Sequence, residues 1–299
     1  MKKRLLIAVL AALASASALA DGRSAAQSLF ANLERAGQDI GASAANTFAA
    51  PTLVRGMYAL SDPQGKFIGY ANEAGTLFGD SRGFNGLAPG GSGFRPLTPP
   101  EAADLRREMV ANIDKGKLIT TRYGAGQKRL FMFSAIDCPA CRKVEAQLAK
   151  AGAKENTTFL VVPSSLQSSE QQWQKVANIW CASDSERAWK TYWATGATPA
   201  AGACPVADGK IAERVSSHLW GMLKGAGLAL HGTPAYVRED GLLLTKETLD
   251  LPAQPAKPAY WLAGADTGGA DDFLPQPVGG RVAGGGAPLG SAIKGLFRR

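Results

Sequence analysis

Two cysteines separated by two residues, Cys138-Pro139-Ala140-Cys141, are the part of this 299-residue sequence best suited to chemistry. A thiolate is a nucleophile. A second thiol one helical turn away can displace it, so such a pair can cycle between dithiol and disulfide. Two other uses of the motif need more than the sequence offers. Half of a structural zinc site requires two further ligands at matching spacing. Cys181, Cys204, His218 and His231 supply no such pair, and no metal is expected. A purely structural bridge across two residues closes too short a loop to stabilise much.

The elements around the pair explain why it would be reactive. Leu130-Phe131-Met132-Phe133 is a compact apolar run, read as a buried strand, and it leads directly into the motif. Arg142 to Ala151 has helical composition, with Val144 and Leu148 on its apolar side, and Thr158 to Val162 is a second apolar strand. Strand, CxxC, helix and strand within about thirty-five residues form a βαβ unit. Cys138 then falls at the helix N-cap, where unpaired N–H groups and the positive end of the dipole favour a thiolate. Pro139 suits the first helical position. The expected roles follow: Cys138 attacks and Cys141 resolves. Glu145 and Asp137 are candidate proton relays, although a solvated charge is the simpler use of either.

The other two cysteines sit in a different setting. Residues 166–195 and 208–227 read as helical, the second capped by Asp208. Trp173 and Trp180 share one face and Trp189 and Trp193 another, all expected to serve core packing. Cys181 lies beside Trp180, and Cys204 precedes Pro205 after a Gly/Ala/Pro stretch. Four cysteines allow three pairings. Neither Cys181 nor Cys204 has a helix N-terminal setting, so they are read as a structural pair whose loop of about 24 residues is worth roughly 3 kcal/mol. Further on, His231-Gly232-Thr233-Pro234 is a sharp turn, and Ala235 to Arg238 pairs with Leu242 to Leu244 across Glu239-Asp240-Gly241. In a thioredoxin fold an X-Pro turn of this kind is cis and packs beside the CxxC. The residue before proline then pairs with an extended substrate strand. Thr233 and Pro234 are therefore the expected substrate-binding residues.

These stretches together resemble the periplasmic disulfide isomerase and reductase family of DsbC and DsbG. The resemblance is carried by FMFSAIDCPAC (Phe131 to Cys141), IWCA (Ile179 to Ala182), ACP (Ala203 to Pro205) and GTPAYV (Gly232 to Val237). It is good over 118–245 and weaker over 21–117. It implies an α/β fold: a thioredoxin-like domain with a helical insertion over 118–262, preceded by a small α+β dimerisation domain over 21–97 and a linker helix over 98–117. It also implies a structural disulfide between Cys181 and Cys204, a V-shaped homodimer, misoxidised or unfolded secreted proteins as clients, a membrane thiol reductase as redox partner, and no cofactor. The sequence departs from the family in three places. Ala140 replaces the aromatic or His usual between the cysteines. A Pro-rich 250–258 stretch replaces much of the last helix. A Gly-rich tail follows.

The remaining sequence sets the context. Residues 1–20 read as a signal peptide: Lys2, Lys3 and Arg4, then the apolar run Leu5 to Leu13, then Ala18-Leu19-Ala20. A periplasmic location is expected, where disulfides persist. The formal charge of +8 falls to about +5 without the three leader cations, and no Lys/Arg run with interleaved aromatics exists, so nucleic-acid binding is not expected. Residues 22–36 read as a short amphipathic helix. Leu53–Leu60, Lys66–Tyr70 and Thr76–Phe78 read as strands, and 83–97 as a Gly/Pro-rich loop or hinge. A helix from Thr98, with a Thr98/Glu101 capping box, should run to Gly116. Ala259–Leu262 is a candidate docking segment. Residues 263–299 read as a disordered tail ending on Leu296-Phe297-Arg298-Arg299. Two further readings compete with an isomerase or reductase: a DsbA-like oxidant, and a non-catalytic chaperone or assembly component of a secretion or conjugation system.

Overall fold

The structure is a computed structural model, and it describes residues 22–200, 202–248, 251–253, 257–263 and 273–278. The expected leader, the end motif at 296–299 and the tail other than Ala263 and residues 273–278 lie outside these residues.

The chain opens with α1 (residues 22–35), whose Ala26, Leu29 and Leu33 form a stripe at helical spacing and are buried. That stripe packs on Ala49, Leu60 and Ala71 of an antiparallel sheet. Its strands are β1 (Phe48–Pro51), β2 (Met57–Ser61), β3 (Phe67–Asn72), β4 (Leu77–Asp80), β5 (Gly83–Leu87) and β6 (Phe94–Pro96), joined in sequence order. The expected run from Leu53 starts four residues late as a strand. Residues 52–56 make a turn instead, with Gly56 at φ +77° where a side chain is disfavoured.

The expected hinge over 83–97 is two strands, β5 and β6. Its glycines read as breakers in the sequence, but burial alternates along β5, with Phe84 and Gly86 turned inward. Gly86 lacks a side chain because the Trp261 ring occupies the space a Cβ would need.

Helix α2 (Pro99–Ala111) follows. Thr98 donates both its backbone N–H and its hydroxyl to the Glu101 carboxylate, 2.8 Å each. The helix ends at Asn112, short of Gly116. Leu105, Met109 and Val110 bury its inner face in a core that both sheets share, reaching from Leu53, Tyr70 and Phe84 to Phe131, Phe133 and Val161.

The second sheet holds β7 (Ile119–Arg122), β8 (Lys128–Ala135), β9 (Thr157–Ser164) and β10 (Ala235–Arg238) in the order β10-β8-β9-β7. Strands β8 and β9 are parallel, from Lys128 opposite Thr157 to Ala135 opposite Ser164, and the other pairings are antiparallel. A parallel neighbour demands a crossover, which α3 (Pro139–Ala151) supplies. Three helices complete this part: α4 (Glu170–Trp180), α5 (Ser185–Thr195) and α6 (Gly209–Gly225). Helices α4 and α6 pack on each other and on β9, while α5 meets β7 and α3. Leu242 and Leu244 exchange backbone hydrogen bonds with Arg238 and Tyr236, forming the hairpin after β10.

Helix α6 also meets the first sheet. Gly221 lies against the Tyr70 hydroxyl and Gly225 against the Asp80 carbonyl, where no Cβ fits. Tyr70 Oη and His218 Nδ1 are 3.2 Å apart.

The tail is not disordered at 273–278. Strand β11 (Gln276–Pro277) adds to the edge of β1, Val278 N–H donates to Thr47 O at 2.8 Å, and Phe273 and Val278 are buried. Two buried apolar side chains, an open strand edge and hydrogen bonds from Arg23 and Gln27 of α1 dock this Gly/Pro-rich stretch. Trp261 and Leu262 are buried too.

Candidate dithiol site

The site is built where β8 hands over to α3. Strand β8 ends on the fully buried Ala135, and a tight turn through the equally buried Ile136 then places Cys138 at the N-cap of α3 with Pro139 as the first helical residue. The Cys138 sulfur accepts the backbone N–H of Cys141 at 3.3 Å, as an N-cap side chain does. Across the sheet end, Cys138 Sγ lies 3.3 Å from the Thr233 carbonyl, the acceptor for its S–H. The Thr233–Pro234 peptide is cis and leads directly into β10, the neighbour of β8. Hence Cys138, Cys141, Thr233 and Pro234 converge on one spot although about ninety-five residues separate the pairs.

The two thiols differ in surroundings. Cys138 keeps 5% of its surface exposed, and Cys141 has none, so only Cys138 can meet an incoming disulfide. Burial by itself pushes the Cys138 thiol up. Hydrogen bonding from the Thr233 and Cys141 side chains, and from the backbone N–H groups of Cys141 and Ala140, outweighs burial and leaves it below the ordinary thiol value. Burial raises the Cys141 thiol, and its hydrogen bond with Cys138 adds to the rise. The pair therefore consists of a marginally exposed thiol whose thiolate is favoured and a fully buried thiol whose thiolate is disfavoured. Both are free cysteines here.

Cys181 and Cys204 are joined to each other by a disulfide and take no part in this cluster. Cys181 is the C-cap of α4, where orphan carbonyls rather than N–H groups face a side chain.

The two carboxylates singled out from the sequence have distinct surroundings. Asp137 accepts the Ser165 hydroxyl at 2.8 Å and the backbone N–H groups of Leu166 and Gln167 at 2.8 and 3.1 Å. It ties the loop after β9 to the start of α3. Glu145 is buried, accepts the Trp189 indole N–H at 3.0 Å, and has its pKa raised to about 7 by burial. It sits one turn beyond Cys141 on the same helix. Trp193, which the sequence assigns only to core packing, packs against the small cluster formed by Ala135, Cys138 and Cys141. Its contact arises from how α5 crosses α3, which no local spacing in the sequence encodes. Among the described residues no group of His, Cys, Asp and Glu is arranged to hold a metal ion.

The sheet order with one parallel pair, the CxxC opening the crossover helix and the cis-proline turn before the antiparallel neighbour define a thioredoxin-like domain. No protein-family model matches the chain, and no curated protein matches it. Solved structures do. A disulfide interchange protein from Neisseria gonorrhoeae is 25% identical over 42% of this chain and 81% of its own, with a TM-score of 0.30. MdbA, a thiol-disulfide oxidoreductase from Actinomyces oris, is 15% identical over 45% of this chain and 83% of its own, with a TM-score of 0.25. Both likenesses cover less than half of the chain, so the fold assignment rests on strand order and on the placement of the motif.

Proposed function

We propose that this chain is an extracytoplasmic thiol–disulfide oxidoreductase that reduces or isomerises wrong disulfides in secreted proteins, in the manner of DsbC and DsbG. The observation that carries the reading is the Cys138 sulfur, held at a helix N-terminus with the Cys141 N–H and the Thr233 carbonyl each 3.3 Å away. The Cys138 thiolate attacks a client disulfide. One client sulfur joins Cys138, and the other leaves as a thiolate. Cys141 then loses its proton and attacks Cys138, releasing the first client sulfur and closing a Cys138–Cys141 disulfide. The client gains two electrons, and a thiol reductase at the membrane restores the dithiol. For isomerisation, a client thiolate displaces Cys138 instead. Thr233 offers backbone beside the sulfur for an extended client segment. The expected leader places this chemistry in the periplasm. Among the described residues no helix is long and apolar enough to cross a membrane.

Refolding of scrambled ribonuclease tests the reading. The intact protein should restore ribonuclease activity in a glutathione buffer, and Cys138→Ala should not. Unchanged activity in Cys138→Ala removes the dithiol from the mechanism.

One observation favours a second reading, that of an oxidant. A stabilised Cys138 thiolate favours the dithiol form and so makes the disulfide more oxidising. Equilibration with glutathione separates the two directions. A couple near thioredoxin, about −270 mV, supports reduction, and one near about −120 mV supports oxidation.

A further inference from the structure

Helix α6 carries a cation that lacks a counter-ion. Arg214 is half-buried and makes no hydrogen bond or ion pair among the described residues. Burial lowers its pKa. Asp208, the carboxylate whose charge reaches it, is used as the N-cap of α6 and accepts the Lys210 N–H at 2.7 Å. A cation drawn out of water without a partner is costly, so this position calls for an anion.

Arg214 lines a cavity of about 140 Å³ enclosed by α6, strands β1 and β2 and the docked residues Phe273 and Pro275. His218, one turn further along α6, lines it too. Its Nδ1 lies 3.2 Å from the Tyr70 hydroxyl, which has no other hydrogen-bond partner among the described residues. Burial raises the Tyr70 pKa and pushes that of His218 down to about 4, with the Arg214 charge adding to the fall. The hydroxyl therefore donates to Nδ1, and the neutral ring keeps its proton on Nε2. Pro51, Leu60, Phe67 and Phe273 supply apolar walls, and no described acidic side chain lines the space. None of the lining residues belongs to the dithiol cluster.

We propose that this cavity binds a small monocarboxylate, its carboxylate paired with Arg214 and its apolar body against Leu60, Phe67 and Phe273. The guanidinium fork matches a carboxylate and supplies the missing counter-charge. An apolar cavity of about 150 Å³ takes benzene, so the volume suits one ring or a short branched chain. The site stands apart from Cys138 and serves a ligand rather than a client disulfide.

Benzoate is the probe, titrated into the full chain by calorimetry, with benzamide as its uncharged counterpart. Benzoate should saturate a single site. Arg214→Met keeps an unbranched stem, loses the charge and should weaken benzoate binding roughly tenfold or more, as expected for losing hydrogen bonds between charged groups. Benzamide should bind the intact protein more weakly than benzoate by a similar factor. The sequence has two histidines, His218 and His231. In imidazole NMR spectra, benzoate should shift the His218 signals and leave those of His231 in place. Absence of benzoate binding, equal affinity for benzoate and benzamide, or full affinity in Arg214→Met overturns the proposal. Asp271 and Asp272 precede Phe273 in the sequence. Binding that emerges only when both are replaced by Asn assigns the cavity to the chain's own carboxylates and overturns it as well. If Arg214→Met does not fold, the benzamide comparison and the His218 signals of the intact protein carry the test.

Discussion

Glu145 carries an unusual load for one residue. A carboxyl this deeply buried keeps its proton to pH about 7, because burial costs its charge more than the Trp189 N–H returns. The unfolded chain loses that proton near 4.5. Between these values the native state holds a proton that the unfolded state has released. Stability is therefore fully present below about pH 4.5 and declines as pH rises through about 7, by about 3 kcal/mol in all at 1.36 kcal/mol per unit. Glu145→Gln keeps the acceptor for Trp189 and removes the titration. Urea midpoints at pH 5 and pH 8 should show the intact protein losing stability relative to the variant, and equal slopes would refute the buried carboxyl. The dithiol makes its own prediction at this scale. Under the proposed mechanism, Cys141→Ser should accumulate a client disulfide on Cys138, visible as a non-reducing gel adduct, because that mechanism keeps its attacking thiol and loses its resolving one.

One acidic side chain holds three successive backbone N–H groups of the docked segment 257–263. The Glu108 carboxylate accepts the backbone N–H groups of Tyr260, Trp261 and Leu262, each at 2.8 Å. It is buried on α2, and it pins a segment whose Trp261 ring covers Gly86 of β5. Glu108→Ala would leave three N–H groups without their acceptor, at a cost of about 3 kcal/mol or more. Trp261 should then loosen, giving a red-shifted tryptophan emission and a lower urea midpoint. Ala259–Leu262 was legible as a docking segment from its apolar residues. Glu108 was not, because an acidic residue inside an amphipathic helix reads as surface until the segment it holds is in place. The βαβ unit around Cys138 was legible in full, since each of its elements carries a local signal: an apolar run, an N-cap with proline behind it, and a second apolar run. Strands β5 and β6 were not, because glycines that permit close approach look the same in sequence as glycines that break a strand.

At the scale of the molecule, the first sheet and the thioredoxin-like domain share one core. Gly221 and Gly225 of α6 let the helix approach Tyr70 and Asp80 of that sheet. Gly225→Val should force the two layers apart, and scanning calorimetry should show a lower Tm. The intact chain is expected to unfold in a single transition, because one continuous apolar core joins its two sheets. The Cys181–Cys204 bridge spans 23 positions. Replacing both residues by Ala should lower unfolding stability by about 3 kcal/mol by freeing that loop in the unfolded chain, measured in urea. It should leave the alkylation rate of Cys138 unchanged.

The sequence by itself determined the CxxC motif, its helix N-terminal setting and the Thr233-Pro234 turn, because each depends on residues within a few positions of one another. Tertiary structure alone decided what surrounds the sulfurs. It left Cys138 marginally exposed and Cys141 fully buried, brought Thr233 within 3.3 Å of Cys138, packed Trp193 against their cluster and returned residues 273–278 to β1. Those contacts join residues from fifty to more than two hundred positions apart. They follow from burying apolar faces against one another, a non-directional force that no local spacing records.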